Sequence, residues 1–224
     1  MKALIPAAGL GSRFLPATKA QPKEMLLVVD RPVIQYVVEE GLAAADEVVI
    51  INSRDKKSIE EHFTPNPALE AELRSRGKDK YADKVAHAGN LNVSYVYQDE
   101  PLGLGHAVHC AAEATGNEPF FVLLGDVIVP DNQMLIKMKE VSDAHNGASV
   151  IAVLPVAEDQ VDRFGVIDGV EVSEGVWKVN SLVEKPAVED APSNLAVFGR
   201  YLLTPRVMEL LADAKPGAGN EIQL

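Results

Sequence analysis

The chain is poor in the features that would place a protein quickly. It has one cysteine, Cys110, in 224 residues. No internal disulfide can form, and a reducing cytoplasm is the expected setting. No run approaches the ~18 apolar residues of a membrane span. The amino terminus carries one lysine and a short apolar stretch interrupted by Pro6, not the longer apolar run and small-residue cleavage site of a signal peptide. Basic residues are outnumbered by acidic ones, 21 to 33, for a net charge of −12. The average surface therefore repels nucleic acid, and an anion can bind only where cations are concentrated. There is no internal repeat and no low-complexity segment. His62, His87, His109 and His145 show no metal-ligand spacing. A G-x-S-x-G elbow and a usable cysteine–histidine pair are also missing, which removes the common nucleophilic hydrolases.

What is present is an ordinary globular composition, 47% hydrophobic and 24% charged. A chain of this length suits one large domain with a core that needs no staples. Short apolar runs at Ala3–Ala7, Glu47–Ile51, Val93–Tyr97 and Pro119–Leu124 alternate with helical patterns. Helices are expected from Pro32 onward, where Ile34, Val37, Val38 and Leu42 recur at helical spacing, and over Asp55 to Phe63, Pro67 to Arg76 and Gly105 to Ala114. That alternation predicts a three-layer α/β fold, Rossmann-like, around a mixed, mainly parallel sheet. After Gly147 the rhythm changes to strands with few helices between them: Ala148–Pro155, Gly165–Val170, Val176–Glu184 and Leu195–Leu203. These predict antiparallel pairing on the same sheet, within a single domain spanning 1–224. The polar stretch from Gly77 to Asn92 reads as an irregular surface excursion.

The most informative segment is Pro6-Ala7-Ala8-Gly9-Leu10-Gly11-Ser12-Arg13-Phe14, where a strand runs into a glycine-rich turn. Gly9 and Gly11 let the backbone approach a ligand and aim its N–H groups at phosphate oxygens. Arg13, Lys19 and Lys23 add cations nearby, so a nucleoside triphosphate is the expected ligand. A dinucleotide site is disfavoured because Phe14 stands where the third glycine would be, and Asp30 precedes the first long helix. No Gly-Lys-Ser/Thr closes a P-loop.

Three further stretches follow strand ends. Phe120 to Leu124 leads into Gly125-Asp126, a carboxylate at the carboxyl edge of the sheet, where α/β folds bind ligands. One such aspartate suits Mg²⁺, although a turn aspartate capping its own backbone is the alternative. Gln98, followed by Gly103 and Gly105, offers a donor and an acceptor that suit a pyrimidine edge. His106 reads as a capping or packing residue. Glu184-Lys185-Pro186, below Phe164-Gly165-Val166, points to a polar, anionic sugar phosphate if the proline bends the strand end.

Together these motifs resemble the sugar nucleotidyltransferase superfamily, and its bacterial UTP–glucose-1-phosphate uridylyltransferases in particular. The likeness is carried by Pro6 to Arg13, Leu15-Pro16-Ala17-Thr18-Lys19, Pro22-Lys23-Glu24-Met25, Pro101 to Ala107, Val183-Glu184-Lys185-Pro186, Ala191 to Asn194 and Gly199-Arg200-Tyr201. The branch-specific likeness lies in His62-Phe63, Leu69-Glu70 and Arg76-Gly77-Lys78. The resemblance implies UTP and glucose 1-phosphate as partners and Mg²⁺ as cofactor, with neither nucleic acid nor membrane. It implies that Ala8, Gly9, Glu24, Gln98 and Gly103 cradle uridine, and that Arg13 and Lys23 hold the triphosphate. Asp126 would bind the metal, Glu184 the glucose hydroxyls and Lys185 the sugar phosphate, with Gly165 leaving room for the sugar. Relatives usually continue past Glu221-Ile222-Gln223-Leu224 into further helices that support homo-oligomers, so a longer chain is expected. A thymidylyl- or cytidylyltransferase, or a binding protein without turnover, fits the same motifs.

Overall fold

The computed structural model describes residues 1–130 and 133–224. Strand β1 (Lys2–Pro6) opens the fold with Ala3, Leu4 and Ile5 fully buried. A strand apolar on both faces belongs inside a parallel sheet covered on both sides. A short ribbon follows, β2 (Leu27–Val28) against β3 (Arg31–Pro32), then α1 (Val33–Leu42), β4 (Glu47–Asn52) and α2 (Lys57–His62). Next come α3 (Pro67–Ser75), α4 (Asp79–Gly89), β5 (Val93–Tyr97), α5 (Leu104–Cys110), α6 (Ala112–Thr115) and β6 (Phe120–Leu123). The remainder is α7 (Met134–Ala144), β7 (Val150–Pro155), β8 (Gly165–Ser173), β9 (Val176–Glu184), β10 (Leu195–Leu203) and α8 (Arg206–Ala212).

The mixed sheet expected from the sequence is present. Strands β5, β4, β1 and β6 lie side by side and run parallel, with Leu4 level with Val49 and Val122. Direction then reverses. β10 pairs antiparallel with β6 from Arg200 to Leu203, with β7 along most of its length and with β8 at Ala196. β8 and β9 close that side as an antiparallel pair. The stretch after Gly147 therefore extends the same sheet, as its change of rhythm predicts.

Alternation along the strands sends side chains to two faces. On one, Ile5, Ile50 and Phe121 pack with Ile34, Val37 and Val38 of α1, Ile59 of α2 and Leu135 of α7. On the other, Leu4, Val49, Ile51 and Val122 pack with Val108 of α5 and Met208 and Leu211 of α8. These are the three layers. No described helix is long and apolar enough to cross a membrane.

Two expectations need correction. Gly77 to Asn92 is not irregular, because α4 occupies most of it. Its buried face is made of Ala82, Ala88 and Gly89, too small to stand out as an apolar stripe, and the approach is so close that a Cβ on Gly89 would lie 2.8 Å from Pro65 Cα. Polar contacts tie down the rest of it: ion pairs from Lys84 to Asp30 and from Arg74 to Asp83, and a hydrogen bond between His87 and Glu39. The helix expected from Gly105 to Ala114 is broken at Ala111, the residue between α5 and α6.

Candidate active site

The parallel strands deliver their carboxyl ends to one rim, and most of the residues singled out from sequence sit there. Past β1, Ala7 donates to Ile51 O at 2.8 Å, which carries the ladder into the glycine-rich loop. Ala8 is buried and Gly9 exposed. Gly11 adopts φ 64°, and its carbonyl accepts from Thr18 Oγ1 at 2.8 Å. Three short 3₁₀ turns follow, and the last, Lys23–Met25, brings two key side chains back over the sheet. Lys23 Nζ donates to Asp126 Oδ2 at 2.7 Å, across 103 residues of sequence. Lys23 and the Gly125-Asp126 turn are therefore one place.

Glu24 is 1% exposed. Burial pushes its carboxyl above the usual range, and the ammonium of Lys56 pulls it back. Lys56 Nζ lies 3.1 Å from Glu24 Oε2 and also donates to Ala7 O and Gly9 O, each at 2.6 Å. Glu24 Oε1 is buried without a hydrogen-bond partner, 4.0 Å from Lys23 Nζ. Lys56, Glu24, Lys23 and Asp126 thus form a line of alternating charge under the loop. Lys56 escaped the sequence reading, although its position just past the end of β4 is the same kind of rim position as Asp126.

Gln98 extends β5 by donating its backbone N–H to Asn52 O at 2.9 Å. Its side-chain nitrogen lies 3.1 Å from Gly103 O and 2.9 Å from His106 Nδ1. Gly103 has φ 109°, which favours glycine, and a Cβ there would meet Ile222 O at 2.6 Å. That crowding arises because residues near the end of the chain zip along this loop. Ile222 N donates to Leu102 O and Gly105 N to Ile222 O, both at 2.8 Å. His106, read from sequence as a cap or packing residue, instead bonds the Gln98 amide.

Glu184, Lys185 and Gly165 form a second group at the end of the β8–β9 pair. Gly165 is level with Glu184, and a Cβ on it would sit 3.1 Å from Glu184 Oε2. Lys185 takes φ 46°, the bend that the following proline makes plausible, and its Nζ reaches Glu184 Oε1 at 3.3 Å. Arg13 stays exposed and makes no hydrogen bond or ion pair among the described residues. It is not drawn to Lys23 or Asp126.

One buried pair supports the rim from below. Arg200 is 0% exposed and bonds Glu40 through two nitrogens, Nε to Oε1 at 2.8 Å and Nη2 to Oε2 at 2.7 Å. It also donates to Val127 O at 2.7 Å and Leu124 O at 3.4 Å, the carbonyls on either side of Gly125-Asp126. A charged residue inside the otherwise apolar run Leu195–Leu203 was the signal that such a pair exists.

Comparison with known proteins agrees with this geometry. Residues 2–223 match the family described as nucleotidyl transferase. The chain belongs to that family. It is 49% identical, over its whole length and 78% of the relative's, to the UTP–glucose-1-phosphate uridylyltransferase of Staphylococcus haemolyticus. It is 48% identical, over its whole length and 76% of the relative's, to the UTP–glucose-1-phosphate uridylyltransferase YngB of Bacillus subtilis. A crystal structure of a UDP-glucose pyrophosphorylase complexed with UDP-glucose superposes with a TM-score of 0.85 at 42% identity, over 99% of this chain and 83% of that one. The resemblance drawn from the motifs is borne out, and this nucleotidyl transferase carries its rim cluster at the sheet edge where its fold class binds ligands.

Proposed function

We propose that the chain transfers the uridylyl group of UTP to glucose 1-phosphate. A phosphate oxygen of the sugar phosphate attacks the α-phosphorus, a new P–O bond forms, and the bond from that phosphorus to the bridging oxygen of the leaving pyrophosphate breaks. The attacking oxygen is already ionised at neutral pH, so no protein base is needed. The protein's task is to hold two polyanions in line and offset the charge that accumulates. The observation that carries this reading is the 49% identity, over the entire chain, with an enzyme named for that reaction.

In this reading Ala8, Gly9, Glu24, Gln98 and Gly103 surround the uridine, and Gly11 lets the loop turn toward the phosphates. Arg13, unpaired and exposed, closes on the triphosphate, with Lys23 beside it. Glu184 meets the glucose hydroxyls in the space that Gly165 leaves open, and Lys185 meets the sugar phosphate. Mg²⁺ suits the donor set. Asp126 presents one carboxylate, its side chain 41% exposed and already holding an ammonium at 2.7 Å. The described residues contain no cluster of three or more metal-ligating side chains. Such a site leaves most positions to phosphate oxygens and water, as Mg²⁺ commonly does. When bound, the ion would neutralise charge on the triphosphate and on the departing pyrophosphate.

The test is formation of UDP-glucose and pyrophosphate from UTP and glucose 1-phosphate with Mg²⁺, run in parallel with CTP and dTTP. Asp126→Ala is expected to reduce turnover by at least about 10²-fold, the scale of losing one preorganised electrostatic contact, with the melting curve unchanged. Near-normal turnover in that variant refutes the metal role.

A further inference from the structure

Gln98 and His106 contain information about which base the pocket reads. The Gln98 side chain has one partner whose role is unambiguous. Gly103 O can only accept, so the amide atom 3.1 Å from it is the NH₂ nitrogen. The second hydrogen of that nitrogen points to His106 Nδ1 at 2.9 Å. Nδ1 must therefore carry a lone pair. The neutral ring holds its proton on Nε2, which faces Cys110 Sγ at 4.0 Å. Both amide hydrogens of Gln98 are spent, and Oε1 has no partner among the described residues. What the side chain still offers is an acceptor.

We propose that His106 is a specificity-determining residue, which fixes the Gln98 amide so that Oε1 selects uracil over cytosine. The assignment rests on the reading that Gln98 meets the base edge of the nucleotide. Uracil carries a hydrogen on its N3 and can donate to Oε1. Cytosine presents a lone pair at N3, and two acceptors facing each other in a buried site leave both unsatisfied. The protein could accommodate cytosine only by turning the amide over. That rotation would aim Oε1 at Gly103 O and at the lone pair of His106 Nδ1, and both bonds would be lost. Gly103 O alone resists the rotation with one bond, and His106 supplies the second. His106 acts through Gln98 and needs no contact with the nucleotide.

The experiment measures kcat/KM for UTP and for CTP, with glucose 1-phosphate as acceptor, in the wild type, His106→Ala and His106→Asn. The asparagine Oδ1 can take the place of Nδ1 as acceptor. In the alanine variant the ratio of UTP to CTP is expected to fall about fivefold, the worth of one net hydrogen bond. It should recover in the asparagine variant, while KM for glucose 1-phosphate stays unchanged throughout. His106→Leu, which fills the volume of the ring, gives the same reading if the alanine variant is unstable. Equal losses with both nucleotides, leaving the ratio at its wild-type value, would overturn the assignment and leave the uridylyltransferase reading standing. A wild type that turns over UTP and CTP without preference would likewise overturn only the assignment, whereas no UDP-glucose formation from UTP would overturn both.

Discussion

The two ends of the rim are built differently. Beneath the glycine-rich loop, the groups that we read as facing the uridine are sunk into the protein and tied to it, whereas Arg13 and Asp126 on its phosphate side stay open to solvent. Glu24 is 1% exposed, the Lys56 side chain 10%, and Gln98 is buried with both amide hydrogens engaged. At the far end, Glu184 and Lys185 bond mainly each other, with side chains 43% and 57% exposed. The difference follows from the sheet. The parallel strands are covered by helices on both faces, so groups at their ends begin buried. Strand β9 lies at the sheet edge and is mostly exposed. Preorganised groups act without reorganising, so in our reading the uridine-facing groups are ready before binding, while Arg13 and the sugar end are completed by the ligands.

The sharpest way to break this contrast is to cut the support beneath the buried end. Arg200→Met would leave the Glu40 carboxylate buried and unpaired and release the carbonyls of Leu124 and Val127. Removing one partner of a buried pair costs about 3–5 kcal/mol, which for a chain of this size lowers Tm by about 10 °C. Adding Glu40→Leu should recover most of that loss, since a well-packed apolar pair can replace a buried ion pair. Calorimetric or fluorescence melting of the single and double variants checks both statements. A single variant as stable as the wild type would show that the pair does not support the rim.

The opposite treatment applies to the exposed end. Lys185→Ala is expected to leave Tm unchanged, because exposed ion pairs contribute about 0–1 kcal/mol. If Lys185 meets the sugar phosphate, the variant should raise KM for glucose 1-phosphate by about tenfold, the scale of one charge-assisted hydrogen bond, with little change in KM for UTP. Steady-state kinetics with each substrate varied in turn separates the two. A change shared equally by both substrates would mean that the ends are not independent.

How much of this could be read from sequence depended on the kind of signal. Strands β1, β4 and β6 were found within one or two residues because strands buried on both faces are continuous apolar runs, and the half-buried edge strand β5 was found from its β-branched and aromatic residues. The rim positions of Asp126 and Gln98 were legible for a related reason: residues just past such strand ends fall at the carboxyl rim. Helix α4 was missed because alanine and glycine give a narrow, weakly apolar face and its anchors are polar contacts. Lys56 and the role of His106 were missed on other grounds. Lys56 meets Ala7 O across 49 residues, and His106 matters through the orientation of an amide. Periodicity and spacing carry neither kind of fact.

The smallest expected effect is a pH dependence where α1 meets α2 over the parallel strands. His62 on α2 lies 3.0 Å from Gln35 Oε1, which ties α2 to α1, and Gln35 Nε2 donates to Glu39 one turn along α1. Burial lowers the pKa of His62 below its ordinary value of 6.5. The unfolded chain therefore takes up a proton first as pH falls. Stability associated with the neutral, half-buried ring is fully present above 6.5. It is lost progressively as pH drops from there through the lowered folded-state value. His62→Gln keeps a donor at the ε position and cannot titrate. Urea midpoints at about pH 7.5 and about pH 5.5, on either side of the ordinary histidine value, should differ more for the wild type than for this variant. Parallel behaviour of the two proteins would mean that the ring is not protected from protonation. The tie between α1 and α2 would then be as open to solvent as the Glu184–Lys185 pair.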